Sequence, residues 1–350
     1  ALQIPGTAAG DVMITGNTFK DWDQDVANGG RAMRFGKFAK VDSMTVTNNK
    51  MIRDLEPGED KDQMAKFDTI PYEGSLDFSL NYWNGKLPVT TYGKAEDSSV
   101  IVISEGNAKI DALPYYADEE MKRPLVPVEV KDSTGNLKGN YLTIPEAVAD
   151  AETKDHIVIS EGIQTLSSSI TIPSGKDLTF EGTVSDSGAL LTTLQRSADD
   201  GNNIIFSAAQ ENVQTTVKNL NFVTTKEGAS TFYSDKKSAE LTIEGCSFNP
   251  AEGINYGGNI VMGAGVENTG KLSFVNNKVN FSFRNGINAA GNNSVITGNE
   301  FVYTSDRIND SNRTSVLSLV ADDKSGIITI TDNIFKNANR AIAVDNSKML

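Results

Sequence analysis

The sequence GIITITDNIFKNANRAI, residues 326–342, contains the pattern that decides the fold. Two isoleucines alternate with two threonines over 328–331, which is the period of a β-strand with one buried face. The turn pair Asp332-Asn333 follows, and then a second short apolar step at Ile334-Phe335. Because a short strand, a corner and another short strand follow one another, this stretch predicts one coil of a winding chain.

The same template recurs along the chain: apolar, any residue, apolar, any residue, turn, Asn, any residue, apolar. Further copies are VMITGNTF (12–19), MTVTNNKM (44–51), TTVKNLNF (215–222), LTIEGCSF (241–248), LSFVNNKV (272–279) and SVITGNEF (294–301). Repeats of this length cannot bury their apolar face alone, and they therefore predict a solenoid. Because the strands are short, rich in Val, Ile, Phe and Thr, and without a helical period, the predicted solenoid is a parallel β-helix.

One column of the template is mostly asparagine. It holds Asn17, Asn49, Asn277, Asn299 and Asn333, with Leu220 and Cys246 in the two other copies. Asparagine tolerates the left-handed backbone region at a bend, and stacked amides can hydrogen-bond along the axis of the stack. We therefore interpret the column as a structural asparagine ladder rather than a binding site.

Composition restricts the partners. The chain of 350 residues has a formal net charge of −14, a single cysteine and a single histidine. The acidity argues against nucleic acid and anionic membranes as partners, and no apolar run is long enough to insert into a membrane. These features are typical of a secreted or cell-surface protein, and the first residues, Ala1-Leu2-Gln3, resemble a cut edge.

The predicted domain layout has three parts. Residues 1–113 form coils, residues 114–140 form a proline-bounded linker and hairpin, and residues 141–350 form a short capping helix near 144–152 and a second stack of coils. Residues 11–51 also align with 293–335, so that Asn17 matches Asn299 and Asn49 matches Asn333. We interpret this as a tandem array in which 1–113 ends one β-helix unit and 141–350 begins the next; the alternative is a coincidental likeness between coils.

Three stretches resemble a known superfamily. Residues 141–182 look like the opening of right-handed parallel β-helices of the pectin lyase-like superfamily, and the ITITDN and ITGNxF repeats resemble its generic coil. NYWNGKLP (81–88) followed by PYYADEE (114–120) resembles the closing stretch of such domains in bacterial surface proteins. The resemblance implies the fold; for activity it leaves polysaccharide lyases, glycoside hydrolases, tailspikes and non-enzymatic adhesins open.

The sequence offers few candidates for a catalytic site. A glycoside hydrolase needs paired carboxylates, and the candidate pairs are Asp199-Asp200 and Asp322-Asp323. The resemblance implies a Gly-His-Gly motif for a hydrolase of the superfamily. This motif is missing here, since the only histidine is His156, at a strand edge. No arginine cluster resembles that of the lyases, although Asp306, Arg307 and Asp310 could form an acidic corner for Ca²⁺. We interpret the acidic pairs as solvated turns and expect no resident cofactor.

Exposed aromatic rings would offer a different kind of site. Trp22, Trp83 and Tyr303 are candidates to stack on sugar rings, with Arg307 nearby in sequence to the last of them. The sequence therefore favours a non-catalytic stalk and glycan-contact region of a bacterial surface or secreted protein. Its partners would be a glycan or host-surface component and the neighbouring repeat units. The alternatives are a polysaccharide lyase or glycoside hydrolase, and a phage tailspike-like fibre.

Overall fold

A computed structural model describes most of the chain. The described residues are 2–4, 9–22, 31–37, 40–53, 63–70, 74–94, 100–197, 204–208, 210–234, 236, 238–263, 270–288, 290–304, 315–320, 327–338 and 340–345. The chain divides into two compact units, Ala1–Val126 and Pro127–Leu350. Each unit has its own buried apolar cluster, and each is described by itself below.

The N-terminal unit contains three sheets in its described residues, which we call N1, N2 and N3. In order of pairing, N1 consists of Leu2–Ile4, Met33–Lys37, Ala65–Thr69, Ile101–Ile103 and Thr90–Tyr92. N2 consists of Ala9–Thr15, Lys40–Thr47, Ser75–Asp77 and Lys109–Asp111. N3 consists of Thr18–Lys20, Lys50–Ile52, Tyr82–Trp83, Tyr115–Tyr116 and Pro124–Leu125. The strands pair in parallel except for the last pair of N3, which is antiparallel.

The C-terminal unit repeats this plan with sheets C1, C2 and C3. C1 consists of Leu137–Tyr141, Val128–Lys131, His156–Ile159, Asp177–Gly182, Gln214–Lys218, Glu240–Glu244, Lys271–Val275, Val295–Thr297 and Thr329–Thr331. C2 consists of Gly162–Leu166, Thr192–Arg196, Asn221–Thr224, Ser247–Pro250, Lys278–Val279, Glu300–Val302 and Ile334–Lys336. C3 consists of Ile170–Thr171, Phe206–Ser207, Phe232–Tyr233, Val261–Met262, Asn285–Ile287, Ser315–Val320 and Arg340–Asp345.

The chain visits the three sheets of the C-terminal unit in turn. Gln214–Lys218 lies in C1, Asn221–Thr224 in C2 and Phe232–Tyr233 in C3, and then Glu240–Glu244 returns to C1 beside its predecessor. From His156 onward, neighbouring strands in each sheet pair in parallel. The result is a nearly all-β protein of stacked parallel sheets, which is compatible with a solenoid.

The core forms because alternate side chains of each strand point inward and meet their equivalents in the next strand. In C1 one inward column consists of Ile157, Phe180, Val217, Ile243, Phe274, Ile296 and Ile330. Phenylalanines of neighbouring coils stack in the same interior: Phe222 on Phe248 at 5.2 Å and Phe301 on Phe335 at 5.2 Å between ring centroids. The period-2 pattern of the sequence therefore becomes continuous rows of buried side chains.

The segment predicted as a linker and hairpin at 114–140 is divided between the two units. Tyr115–Tyr116 joins N3 by pairing in parallel with Tyr82–Trp83. Val128–Lys131 pairs antiparallel with Leu137–Tyr141 and, on its other edge, with His156–Ile159. Because the hairpin continues sheet C1 by main-chain hydrogen bonds, it belongs to the C-terminal unit.

The only helix among the described residues covers one end of the C-terminal core. It spans Ile144–Asp150, close to the predicted 144–152. The Thr143 hydroxyl accepts from the Glu146 backbone N–H while the Glu146 carboxylate accepts from the Thr143 N–H, which is a capping box. Ile144, Ala147 and Val148 of this helix are buried in the core cluster, so the helix shields apolar surface that the first coil leaves uncovered.

The corner before the asparagine column is left-handed in every copy. Its φ lies between 54° and 72° at Gly16, Asn48, Leu80, Asn219, Gly245, Asn276, Gly298 and Asp332. Glycine, asparagine and aspartate tolerate this region, whereas a leucine there is strained by contact of its Cβ with the neighbouring carbonyl. Leu80 is therefore a local conflict between sequence and fold.

Replacing Leu80 with asparagine is expected to stabilise the N-terminal unit by about 0.5–1 kcal/mol, because it relieves left-handed strain at a half-exposed position. Both tryptophans of the chain, Trp22 and Trp83, lie in this unit. Urea unfolding followed by their fluorescence therefore reports on it selectively. Leu87→Asn, at an exposed leucine outside the left-handed region, is the control and should give no gain. An unchanged or lower midpoint for Leu80→Asn would contradict the assignment of strain.

Candidate functional site

A ladder of amides runs through the N-terminal unit at the corner between N2 and N3. The Asn49 backbone N–H and Nδ2 donate to Asn81 Oδ1 at 2.8 and 3.1 Å, and Asn49 Nδ2 also donates to the Ile14 carbonyl at 2.8 Å. Asn17 donates to Asn49 Oδ1 in the same way, with both distances at 3.0 Å. Asn49 and Asn81 are fully buried. Asn81, which the sequence template did not predict, is the third member of this ladder.

The C-terminal unit contains the same arrangement. Asn277 donates to Asn299 Oδ1 at 2.8 and 3.1 Å, and Asn299 donates to Asn333 Oδ1 at 3.0 and 2.9 Å. One step earlier, the Cys246 backbone N–H donates to Asn277 Oδ1 at 2.9 Å. Burial raises the pKa of the Cys246 thiol to about 12, so this side chain is a neutral core group and not a nucleophile. The amides engage one another, and the column is part of the scaffold.

The three aromatic candidates lie in the core. Trp83 has no exposed surface, and Trp22 and Tyr303 are each 5% exposed. Trp83 pairs in register with Met51, so it occupies the inward apolar position that follows the ladder asparagine. Arg53 lies over the Trp22 ring, with 5.7 Å between the guanidinium carbon and the ring centroid. Because stacking on a sugar needs an exposed ring face, we correct the sequence-based assignment of these residues: they pack the interior.

The acidic pairs and the predicted Ca²⁺ corner fall in parts of the chain that the structure does not describe. Asp199, Asp200, Asp322, Asp323 and Arg307 lie outside the described residues, as do Asp306 and Asp310 of the predicted Ca²⁺ corner. Across the described ranges, no group of three or more His, Cys, Asp and Glu residues is arranged to hold a metal ion. His156 is exposed at the start of its strand and pairs in register with Thr179.

The outer surface of sheet C2 carries an ordered row of neutral polar side chains. We call this row the polar face; its members are Thr193, Asn221, Ser247, Asn249 and Asn280. Asn221 Nδ2 donates to Thr193 Oγ1 at 3.0 Å, and Asn221 Oδ1 accepts from Ser247 Oγ at 2.7 Å and from Asn249 Nδ2 at 2.6 Å. Asn280 Nδ2 then donates to Asn249 Oδ1 at 3.0 Å. The row crosses four consecutive coils, and none of its five members is charged; on the fourth coil the exposed Lys278 lies in register with Ser247, at one edge of the row.

Strand geometry explains why these side chains meet. Asn221 is in register with Thr193 on one side and Ser247 on the other. The next residue of each of the last two strands, Phe222 and Phe248, points into the core. Stacked coils in parallel register bring equivalent side chains about 4.8 Å apart, within hydrogen-bonding reach for amides and hydroxyls. All five members are half-buried, so their rotamers are fixed while one side of the row stays in contact with solvent.

The polar face presents hydrogen-bond donors and acceptors of the kind that pair with hydroxyl groups. Amides and hydroxyls each supply donors and acceptors, and groups held in place by neighbours lose little conformational entropy when a ligand binds. The row has no ionisable member, so it provides no general acid, no general base and no nucleophile of shifted pKa. The sequence signal for it was the polar residue that directly follows the column position in two copies of the template, Asn221 after Leu220 and Ser247 after Cys246.

Comparison with known proteins identifies no relative: no family model, no curated protein and no solved structure matches this chain. No helix in the described part of the chain is long and apolar enough to cross a membrane.

Proposed function

We propose that this chain is a non-catalytic repeat region of a bacterial surface or secreted protein, and that it acts as a stalk with a glycan-contact surface. The observation that carries the proposal is the polar face of sheet C2. A long, neutral, hydrogen-bonded row of amides and hydroxyls matches the hydroxyl-rich surface of an uncharged glycan that lies across successive coils.

The proposal includes a fold more specific than stacked parallel sheets. We propose a right-handed parallel β-helix, as in the pectin lyase-like superfamily. The reason is that the connection between two parallel strands of one sheet is almost always right-handed. The repeated visit to three sheets and the helix at one end of the core support this reading. The extracellular location rests on the same resemblance and on the net charge of −14.

Tandem repetition of units also supports a stalk. The order Ala9–Thr15, Thr18–Lys20, Met33–Lys37 in the N-terminal unit matches the order Val295–Thr297, Glu300–Val302, Ser315–Val320 in the C-terminal unit. The first two members of each series flank equivalent ladder asparagines, Asn17 and Asn299. Because the two units contain coils of the same kind, similar units can follow one another along a longer chain.

The test uses an array of uncharged glycans and the double variant Asn221→Ala/Asn249→Ala. We expect wild-type chain to bind at least one glycan, and the variant to bind it at least tenfold more weakly, because the row loses both amides at its centre. The control is Thr216→Ala/Thr242→Ala, which removes two half-buried outward hydroxyls from sheet C1. This control should bind within twofold of wild type.

Two results would overturn the proposal. One is equal binding by the wild-type chain and the Asn221/Asn249 variant when circular dichroism shows that the variant is folded. The other is turnover of a polysaccharide that is abolished by changing Asp199 or Asp322, which would favour a lyase or hydrolase instead. Trimer formation in light scattering would favour a tailspike-like fibre.

A further inference from the structure

We infer that the outer surface of sheet N1 carries an anion-binding site, formed by Arg34 and Lys66 with Arg31 beside them, for the anionic groups of an acidic glycan. The inference extends the proposed glycan contact to a second site of different chemistry, in the other unit. Its ligand class is an oxyanion on a carbohydrate chain, either a sulfate ester or a carboxylate.

Register brings these cations together. Arg34 lies on Met33–Lys37 and Lys66 on Ala65–Thr69, and the two are directly paired partners in a parallel ladder. Their neighbours Met33, Phe35, Ala65 and Phe67 are fully buried, so Arg34 and Lys66 point away from the core. The side chains of Arg34 and Lys66 are 41% and 26% exposed, which leaves both accessible to a ligand.

Like charges directly opposite each other in a sheet are normally unfavourable. Here one carboxylate of the described residues, that of Asp68, contacts both Arg34 and Lys66. Arg34 Nη2 lies 3.2 Å from Asp68 Oδ2, and Lys66 Nζ lies 3.9 Å from Asp68 Oδ1. The next cation, Arg31, donates through Nε to the neutral Gln63 side chain at 3.1 Å. Among the described residues, Arg34, Lys66 and Asp68 therefore sum to one positive charge.

The electrostatics of the cluster agree with its geometry. Burial, and then repulsion by Arg31 and Arg34, lowers the pKa of the Lys66 ammonium, although Asp68 acts in the opposite direction. Burial and repulsion by Arg34 likewise lower the pKa of the Arg31 guanidinium. An anion bound among these cations would relieve the repulsion that now disfavours their charged forms.

Ion pairs on the C-terminal unit provide a contrast. Lys218 pairs with Glu244 at 3.9 Å, Lys271 with Glu240 at 3.5 Å, and Lys336 with Glu300. Each of these pairs joins one lysine to one glutamate of the adjacent coil, so the charges balance. In a chain with net charge −14, Arg34 and Lys66 differ from these pairs because, within the part of the chain that the structure describes, the two cations share one carboxylate, that of Asp68.

The donors suit an oxyanion on a polymer. Arginine presents a planar fork of N–H groups to two oxygens, and lysine adds a compact point charge. Strands Met33–Lys37 and Ala65–Thr69 place the two donors on neighbouring coils, so a glycan running along the stack would meet them in succession. Sulfate and carboxylate share this recognition chemistry, and the experiment separates them.

The experiment compares three polymers with one backbone: dextran sulfate, carboxymethyl dextran and unmodified dextran. We expect the full chain to bind at least one of the two charged polymers more tightly than unmodified dextran, and this excess binding to weaken as salt is added. The polymer that binds identifies the anion. Arg34→Ala/Lys66→Ala should weaken this binding tenfold or more, because two close charge contacts are removed.

The control is Lys50→Ala/Lys109→Ala, which removes the same charge from sheets N3 and N2 of the same unit. It should bind within about twofold of wild type. Asp68→Asn keeps both cations and removes their carboxylate, so it should bind the charged polymer several-fold more tightly. Failure of both charged polymers to bind, equal loss in the control, or unchanged binding by Arg34→Ala/Lys66→Ala would overturn the site. None of these results depends on the uncharged glycans that test the polar face.

Discussion

Replacing Asn49 with leucine is expected to lower the free energy of unfolding of the N-terminal unit by about 2–4 kcal/mol. Asn49 is fully buried, and its amide bridges Ile14 and Asn81 while its Oδ1 accepts two bonds from Asn17. Leucine has a similar size but no polar atom, so the buried Ile14 carbonyl and the buried Asn81 Oδ1 would each lose a donor. Urea unfolding followed by the fluorescence of the unit's two tryptophans measures the change.

Asn17→Leu is the matched control in the same ladder. Asn17 stands at the exposed end of the described ladder, where water can replace the lost bonds. Its substitution should cost under about 1 kcal/mol. Equal costs for the two variants, or a cost below about 1 kcal/mol for Asn49→Leu, would mean that the buried amide bonds contribute little to stability.

Replacing Phe274 with alanine is expected to lower the free energy of unfolding of the C-terminal unit by about 3–5 kcal/mol. Phe274 has no exposed surface, and its ring lies 5.9 Å from the Phe248 ring and 6.0 Å from the Phe301 ring, between centroids. Removing it opens a cavity in the middle of the inward column, where strands of both neighbouring coils limit collapse. Calorimetry, or urea unfolding followed by far-ultraviolet circular dichroism, measures the loss.

Phe335→Ala is the control for this prediction. Phe335 stacks on Phe301 at 5.2 Å, but it is only half-buried, so less apolar surface is exposed by its removal. Its substitution should cost about 1–2 kcal/mol. A cost for Phe274→Ala no greater than that for Phe335→Ala would contradict a continuous stack of core aromatics.

Much of the architecture follows from the eight-residue template. Alternation at Ile328 and Ile330 predicts a strand with an inward face, and the asparagine after the turn predicts the corner. Asn81 was not predicted as a ladder residue, because the turn residue before it is Leu80 and leucine is not typical of a left-handed bend. Its spacing was the available signal, since Asn17, Asn49 and Asn81 are separated by 32 residues at each step.

The surface was harder to predict than the core. Trp83 looked like an accessible aromatic residue, but it fills the inward position that Met51 occupies one coil earlier. The polar face and the Arg34–Lys66 pair depend on which residues of different coils are opposite each other. In the C-terminal unit the step between ladder positions varies, with 22 residues from Asn277 to Asn299 and 34 from Asn299 to Asn333, so sequence spacing alone does not give the register of the polar face. Arg34 and Lys66 are separated by 32 residues, the constant step of the N-terminal unit, so spacing could have placed them opposite each other.

The most direct measurement is binding and turnover on a single preparation of the chain, with each bound glycan incubated further and assayed for unsaturated ends and new reducing ends. We predict saturable binding without any product, because the polar face supplies donors and acceptors but no acid, base or nucleophile. Release of product at a rate proportional to the chain's concentration would contradict a non-catalytic contact surface.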